Sequence, residues 1–149
     1  MKAMTLGLRV TASGSDGAKV SARRHQFLVG RPIDFDAESS TVMALEYALG
    51  ALGAELVGGL RQFAGRRRLT LDNVEALVRA EVEDPLVYLE VIGESGQPRI
   101  GRIEIKLYVA SPEPEQNVRQ LFEGVLSKLP LVHAFRQAGR LDIQLILAA

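Results

Sequence analysis

A chain of 149 residues without a single cysteine cannot perform thiol redox chemistry with its own side chains, and its only histidines are His25 and His133. A four-ligand Cys/His zinc site is thereby excluded, although a carboxylate-rich metal site is not. The 18 basic and 18 acidic residues cancel, so the whole chain offers no basic footprint for a nucleic-acid partner.

The length suits one domain, residues 1–149, since no stretch reads as a linker, and 47% hydrophobic residues can supply a core without disulfides. The amino terminus Met1-Lys2-Ala3-Met4-Thr5 lacks the apolar run of a secretory signal, so a cytoplasmic location is expected.

Leu6, Leu8 and Val10 alternate with polar positions, and Ser13-Gly14-Ser15-Asp16-Gly17 is dense in turn residues. A second extended run, Ala18 to Val29, completes the pattern of an antiparallel hairpin. Arg31-Pro32 ends it, because proline supplies no ladder donor. The Gly14–Gly17 stretch lacks the following helix that a phosphate loop needs, and His25 beside Arg23 and Arg24 reads as a surface residue.

Residues 36–40, Asp-Ala-Glu-Ser-Ser, place acidic and capping side chains ahead of the apolar run Thr41 to Ala64, predicting a helix start. Apolar residues occupy nearly every face of that helix, which predicts burial all round. Glu46 and Glu55, nine residues apart, fall on opposite faces at about 100° per residue. Two carboxylates so placed argue against a membrane span. Gly50, Gly53, Gly58 and Gly59 weaken the helix by about 1 kcal/mol each relative to alanine, which suits close approach of another backbone. Arg66-Arg67-Arg68 then meets the negative end of the helix; this reading is preferred over a phosphate-binding one.

Val74, Ala76, Val78, Ala80 and Val82 at period two predict a strand, which Asp84-Pro85 breaks. Leu86 to Ile92 fits either a short helix or a strand. Ile103, Ile105, Leu107 and Val109 give another strand. Ser111-Pro112-Glu113-Pro114-Glu115 predicts a helix start capped by serine, and Val118, Leu121, Phe122, Val125 and Leu126 follow at helical spacing. Leu131 to Ala138 predicts a short helix closed by Gly139. Leu141, Ile143, Leu145 and Leu147 predict a closing strand. The order defines an α+β fold, a mainly antiparallel sheet packed on a long central apolar helix. One sheet covers one side of such a helix, so a symmetric homodimer pressing helix on helix is expected.

Two local patterns now carry a resemblance. Ala44-Leu45-Glu46-Tyr47-Ala48-Leu49-Gly50-Ala51-Leu52-Gly53-Ala54-Glu55 resembles the Pro-Glu-Glu-Leu-Leu-Ala-Ala-Ala-Leu-Gly-Ala-Cys helix of the OsmC-like proteins, the superfamily that includes the organic hydroperoxide resistance proteins. Lys128-Leu129-Pro130-Leu131-Val132 resembles that family's Cys-Pro-Val step, and the element order agrees along nearly the whole chain. The resemblance implies an intertwined homodimer with sites at the subunit interface beneath an apolar channel. It also places the peroxide-cleaving cysteine at Glu55 and the resolving cysteine at Leu129. The glutamate that steadies the active-site arginine falls at Leu45, and the arginine of the Gly-Arg-Asp-Gly turn falls at Ser15. Every chemical position is changed, and neither carboxylate nor leucine replaces a thiolate nucleophile. Peroxidase activity is therefore expected to be absent, with no catalytic residue retained and no metal or cofactor implied. Glu46, Glu55, Leu129 and His133 remain as candidate ligand-binding residues. The leading expectation is a homodimer binding a small apolar or amphipathic ligand at an interface pocket, with no nucleic-acid or membrane partner. The alternatives are an acid/base hydrolase or isomerase using Glu55 with His133 or an arginine, and a structural or interaction dimer without ligand.

Overall fold

A computed structural model describes residues 3–148, which divide into two compact units between Ala48 and Leu49. The first unit holds a three-stranded antiparallel sheet: β1 (Arg9–Ser13), β2 (Gly17–Ala22) and β3 (His25–Val29), in that order. The single extended run expected from Ala18 to Val29 is two strands. Ala22 pairs with His25, so Arg23 and Arg24 form a two-residue turn, and Arg23 takes a left-handed φ of 56°. Such turns ordinarily carry glycine or asparagine, so arginines there leave no turn signal. Gly14, with φ 66°, turns the first hairpin as expected. Asp16 of that turn accepts from Arg31 Nε at 2.6 Å, and His25 is exposed.

Helix α1 spans Ala44–Arg66, starting three residues later than Thr41. The acidic stretch before it forms side-chain turns instead: Asp34 accepts from the Asp36 amide at 3.0 Å, and Asp36 from the Glu38 amide at 2.9 Å. The amide of Asp36 holds the Asp34 carboxyl below its ordinary value, with help from Ser39 and Arg31. Since the folded value lies below the unfolded one, the associated stability is present at neutral pH and lost as pH falls through the folded value. Asp34→Asn is therefore expected to remove part of the loss of stability below the ordinary aspartate range. Thermal unfolding of both proteins at neutral and acid pH checks this, and parallel curves would refute it.

The second unit carries the other sheet: β4 (Asn73–Glu83), β5 (Arg99–Ala110) and β6 (Leu141–Ala148). β4 and β5 are antiparallel, whereas β5 and β6 are parallel. The parallel step arises because the chain returns through two helices, α3 (Glu115–Leu126) and α4 (Pro130–Ala138). Leu86 to Ile92 resolves into one helical turn, α2 (Pro85–Tyr88), followed by a turn region. The expected Ser111 cap is not one. Helix α3 begins after Pro114, while Ser111 Oγ donates to the Thr70 carbonyl at 2.6 Å and accepts from the Glu113 amide at 3.1 Å. Glu113 in turn accepts from the Thr70 amide at 2.8 Å, which ties the start of α3 to the end of the α1–β4 loop.

Leu52, Leu56, Leu60 and Ala64 recur every four residues and form the buried stripe of α1. They pack with Ile103, Ile105, Leu107 and Val109 of β5 and with Val118, Leu121, Phe122 and Val125 of α3. Alternation in β4, and in β5 from Ile103 onward, turns most of their apolar residues to this core and their charges outward. Leu77, by contrast, is 52% exposed among the charges, and a register shift between Ala80 and Val82 breaks the period so that Ile100 also packs on the core. Helix α1 is thus not buried all round: Gly50, Ala51, Ala54 and Gly58 are exposed. Helical faces are apolar there because the residues are small, which hydrophobicity alone does not distinguish from a core face. Among the described residues no helix is long and apolar enough to cross a membrane.

Candidate functional site

Helix α4 begins with a defect. Its N-cap is Leu129, which has no side-chain acceptor, and Pro130 contributes no N–H. The next two amides, Leu131 and Val132, lie too early in the helix for intrahelical partners. Both donate to Glu55, Leu131 to Oε2 at 2.8 Å and Val132 to Oε1 at 3.1 Å. His133 N–H donates to the Leu129 carbonyl at 3.1 Å and starts the regular ladder. A carboxylate from the middle of α1 therefore does for α4 what an N-cap aspartate does for its own helix. The bonds are charge-assisted, and the negative charge sits at the positive end of the helix dipole.

Leu129 stands beside this clamp and is only 5% exposed. It fills a notch opened by Gly59, where a Cβ would come within 2.7 Å of Leu129 Cδ2. A comparable close approach occurs at Gly53, where a Cβ would lie 2.9 Å from Val78 Cγ2 of β4. The two positions matched to the redox cysteines are thus neighbours in the fold, one of them a helix cap and the other a packing residue.

His133 is exposed, and its Nε2 lies 2.9 Å from the Ser127 carbonyl oxygen. Neither an ion pair nor a hydrogen bond joins it to Glu55. Glu46 is exposed in the first unit, where its Oε1 accepts from the Met43 amide at 3.1 Å. That contact is the returning half of a capping box at the start of α1, since Met43 precedes the first helical residue and Glu46 is the third within it. Sequence reasoning missed both capping roles. For Glu46 a signal existed, an acid three residues into the helix; for Glu55 none did, because its partners are 76 and 77 residues away.

The principal grooves of the second unit lie elsewhere. One of them, about 600 Å³, runs along Glu81, Glu83, Arg99, Arg102 and Arg140. Arg99 and Arg102 are paired there with Glu83 and with Glu104 and Asp142. Among the described residues no group of three or more His, Asp or Glu side chains could hold a metal ion.

The fold is that of the OsmC-like proteins. An OsmC-like protein from Mycoplasma pneumoniae superposes with a TM-score of 0.78 over 98% of this chain and 99% of its own, at 11% identity. The organic hydroperoxide resistance protein OhrB of Bacillus subtilis gives a TM-score of 0.60 over 94% and 98%, at 17% identity. An organic hydroperoxide resistance protein from Vibrio cholerae, with captopril bound in one of its active sites, gives 0.65 over 96% and 93%, at 13% identity. No protein-family model and no curated protein sequence matches the chain. What separates this chain from thiol peroxidases is plain from its composition: it has no cysteine.

Proposed function

We propose that the protein is a homodimer in which the position of the redox pair has become a structural clamp, and that it acts by association rather than by thiol catalysis. The observation that carries this reading is the state of Glu55 and Leu129. Both carboxylate oxygens of Glu55 are spent on α4, and Leu129 fills the adjacent notch. The association is supported by the outer face of α1, where Gly50, Ala54 and Gly58 recur every four residues. A Cβ at Gly50 or Gly58 would meet nothing within 4 Å, so a second helix backbone can approach closely there. In the first unit Leu6 and Leu8, which precede β1 rather than extend it, and Val10 within it are 75%, 59% and 60% exposed, a run of apolar side chains left in water.

Native mass spectrometry tests the reading. A dimer without adduct supports it, and a monomer overturns it. In a coupled assay with dithiothreitol, consumption of cumene hydroperoxide is expected to equal the buffer rate; turnover above it would refute the loss of peroxidase activity.

A second reading, a small apolar or amphipathic ligand held at the subunit interface, is favoured by the captopril-bound relative. A dimer carrying a reproducible adduct would select it. The acid/base alternative has less support, because Glu55 and His133 both face backbone partners of their own.

A further inference from the structure

Between Glu55 and Asp72 the chain carries Arg61, Arg66, Arg67 and Arg68 and no acidic residue. Folding brings another cation to this end of α1, Lys128 from the segment between α3 and α4. Three of these charges gather on one half-buried ring: Arg66 Cζ lies 4.7 Å, Arg67 Cζ 5.5 Å and Lys128 Nζ 5.9 Å from the Phe63 centroid. The ring face attracts each cation weakly, by about 0.5–1 kcal/mol at exposed sites.

Neutralising the helix end does not account for so much charge. The backbone closes the helix itself. Arg67 N–H donates to the Phe63 carbonyl, Arg68 N–H to Gly65 and Leu69 N–H to Ala64, with Arg68 in the left-handed region at φ 55°. The side chains add one long contact, Arg67 Nη1 to the Phe63 carbonyl at 3.5 Å. Among the described residues no carboxylate forms an ion pair with Arg66, Arg67, Arg68 or Lys128, whereas Arg99, Arg102 and Arg119 are all paired. The positive charge is in surplus. Next to it lies a groove of about 250 Å³ lined by Arg67, Leu69, Asn117, Gln120 and Leu121, which brings two amide-bearing residues to the same groove as Arg67.

We propose that this corner of the second unit binds a phosphate-bearing anion. Arg66, Arg67 and Lys128 neutralise it, and Asn117 and Gln120 donate to its oxygens. Phosphate is favoured over a single carboxylate for two reasons. The guanidinium fork matches paired phosphate oxygens, and a dianion answers several cations at once. A short groove on a chain of zero net charge suits one phosphate group or a short run of them, not a nucleic-acid track. The same chemistry is offered by a soluble phosphate compound and by a lipid headgroup.

Titration calorimetry with inorganic tripolyphosphate, and flotation with phosphatidylcholine vesicles containing phosphatidic acid, separate the two sources. Tripolyphosphate binding that weakens as salt rises establishes the site with a soluble ligand. Binding to acidic vesicles alone establishes it with a lipid headgroup. In either case Arg66→Ala/Arg67→Ala should weaken binding by about tenfold or more, while Arg79→Ala on β4 leaves it unchanged. Should the double variant misfold, Lys128→Gln serves in its place. Binding to neither probe, or binding indifferent to these substitutions, overturns the proposal.

Discussion

Replacing Glu55 with alanine is expected to destabilise the protein by about 2–3 kcal/mol, the cost of two charge-assisted bonds lost and two amides left without partners. For a chain of this size that corresponds to a fall in Tm of roughly 5–10 °C. The half-buried position of Glu55 keeps water from replacing the carboxylate in full. Glu55→Gln should cost about half as much, since one amide oxygen can still accept but its NH2 group cannot. Urea unfolding of the three proteins measures both effects, and an unchanged slope with denaturant keeps the comparison to stability alone. A Glu55→Ala midpoint indistinguishable from that of the parent would mean that α4 does not need the clamp. The same series bears on function. Were Glu55 a catalytic carboxylate, its removal would be expected to abolish an activity while sparing or raising stability, because functional sites commonly sacrifice stability.

Leu129→Ala is expected to cost about 3 kcal/mol, the lost transfer energy of the side chain plus the cavity left against Gly59 and Val125. The neighbour at Gly59 supplies an internal control. Gly59→Ala alone forces a Cβ towards Leu129 Cδ2 and should destabilise by about 1–3 kcal/mol. In the Leu129→Ala background the same substitution keeps only an ordinary contact with Val125 Cγ1 at 3.6 Å and should be nearly neutral or stabilising, so the two effects are strongly non-additive. Additive costs would show that Leu129 does not occupy the notch. The Leu129→Ala protein also reports on the ligand reading. If the resulting cavity takes up a small apolar compound, thermal stability should rise with its concentration.

Much of the fold was legible in the residues. Alternation at Val74–Val82 and Ile103–Val109 marks strands because successive side chains point to opposite faces, and the Leu52-Leu56-Leu60 spacing marks a helix because four residues return nearly one turn. Those periods survive folding unchanged. The break at Arg23-Arg24 was not legible, since residues that favour neither turn nor strand can be forced through a left-handed φ by the pairing of β2 with β3. The parallel pairing of β6 was equally hidden, because strand direction depends on where two intervening helices deliver the chain.

For the site, the sequence by itself determined what cannot happen: without cysteine there is no thiolate, whatever the geometry. It also marked Glu55 and Leu129 as the positions to examine. Only the tertiary structure decided what those residues do. A carboxylate on α1 can become a cap for α4 only when the start of that helix is carried to it from 76 residues away. A leucine becomes a plug only where a glycine on a packed helix leaves it room. The basic run followed the same rule: its charge was visible in the chain, but its convergence with Lys128 on the Phe63 ring depended on the fold. Composition is a property of the chain, whereas distance between side chains remote in sequence is a property of packing.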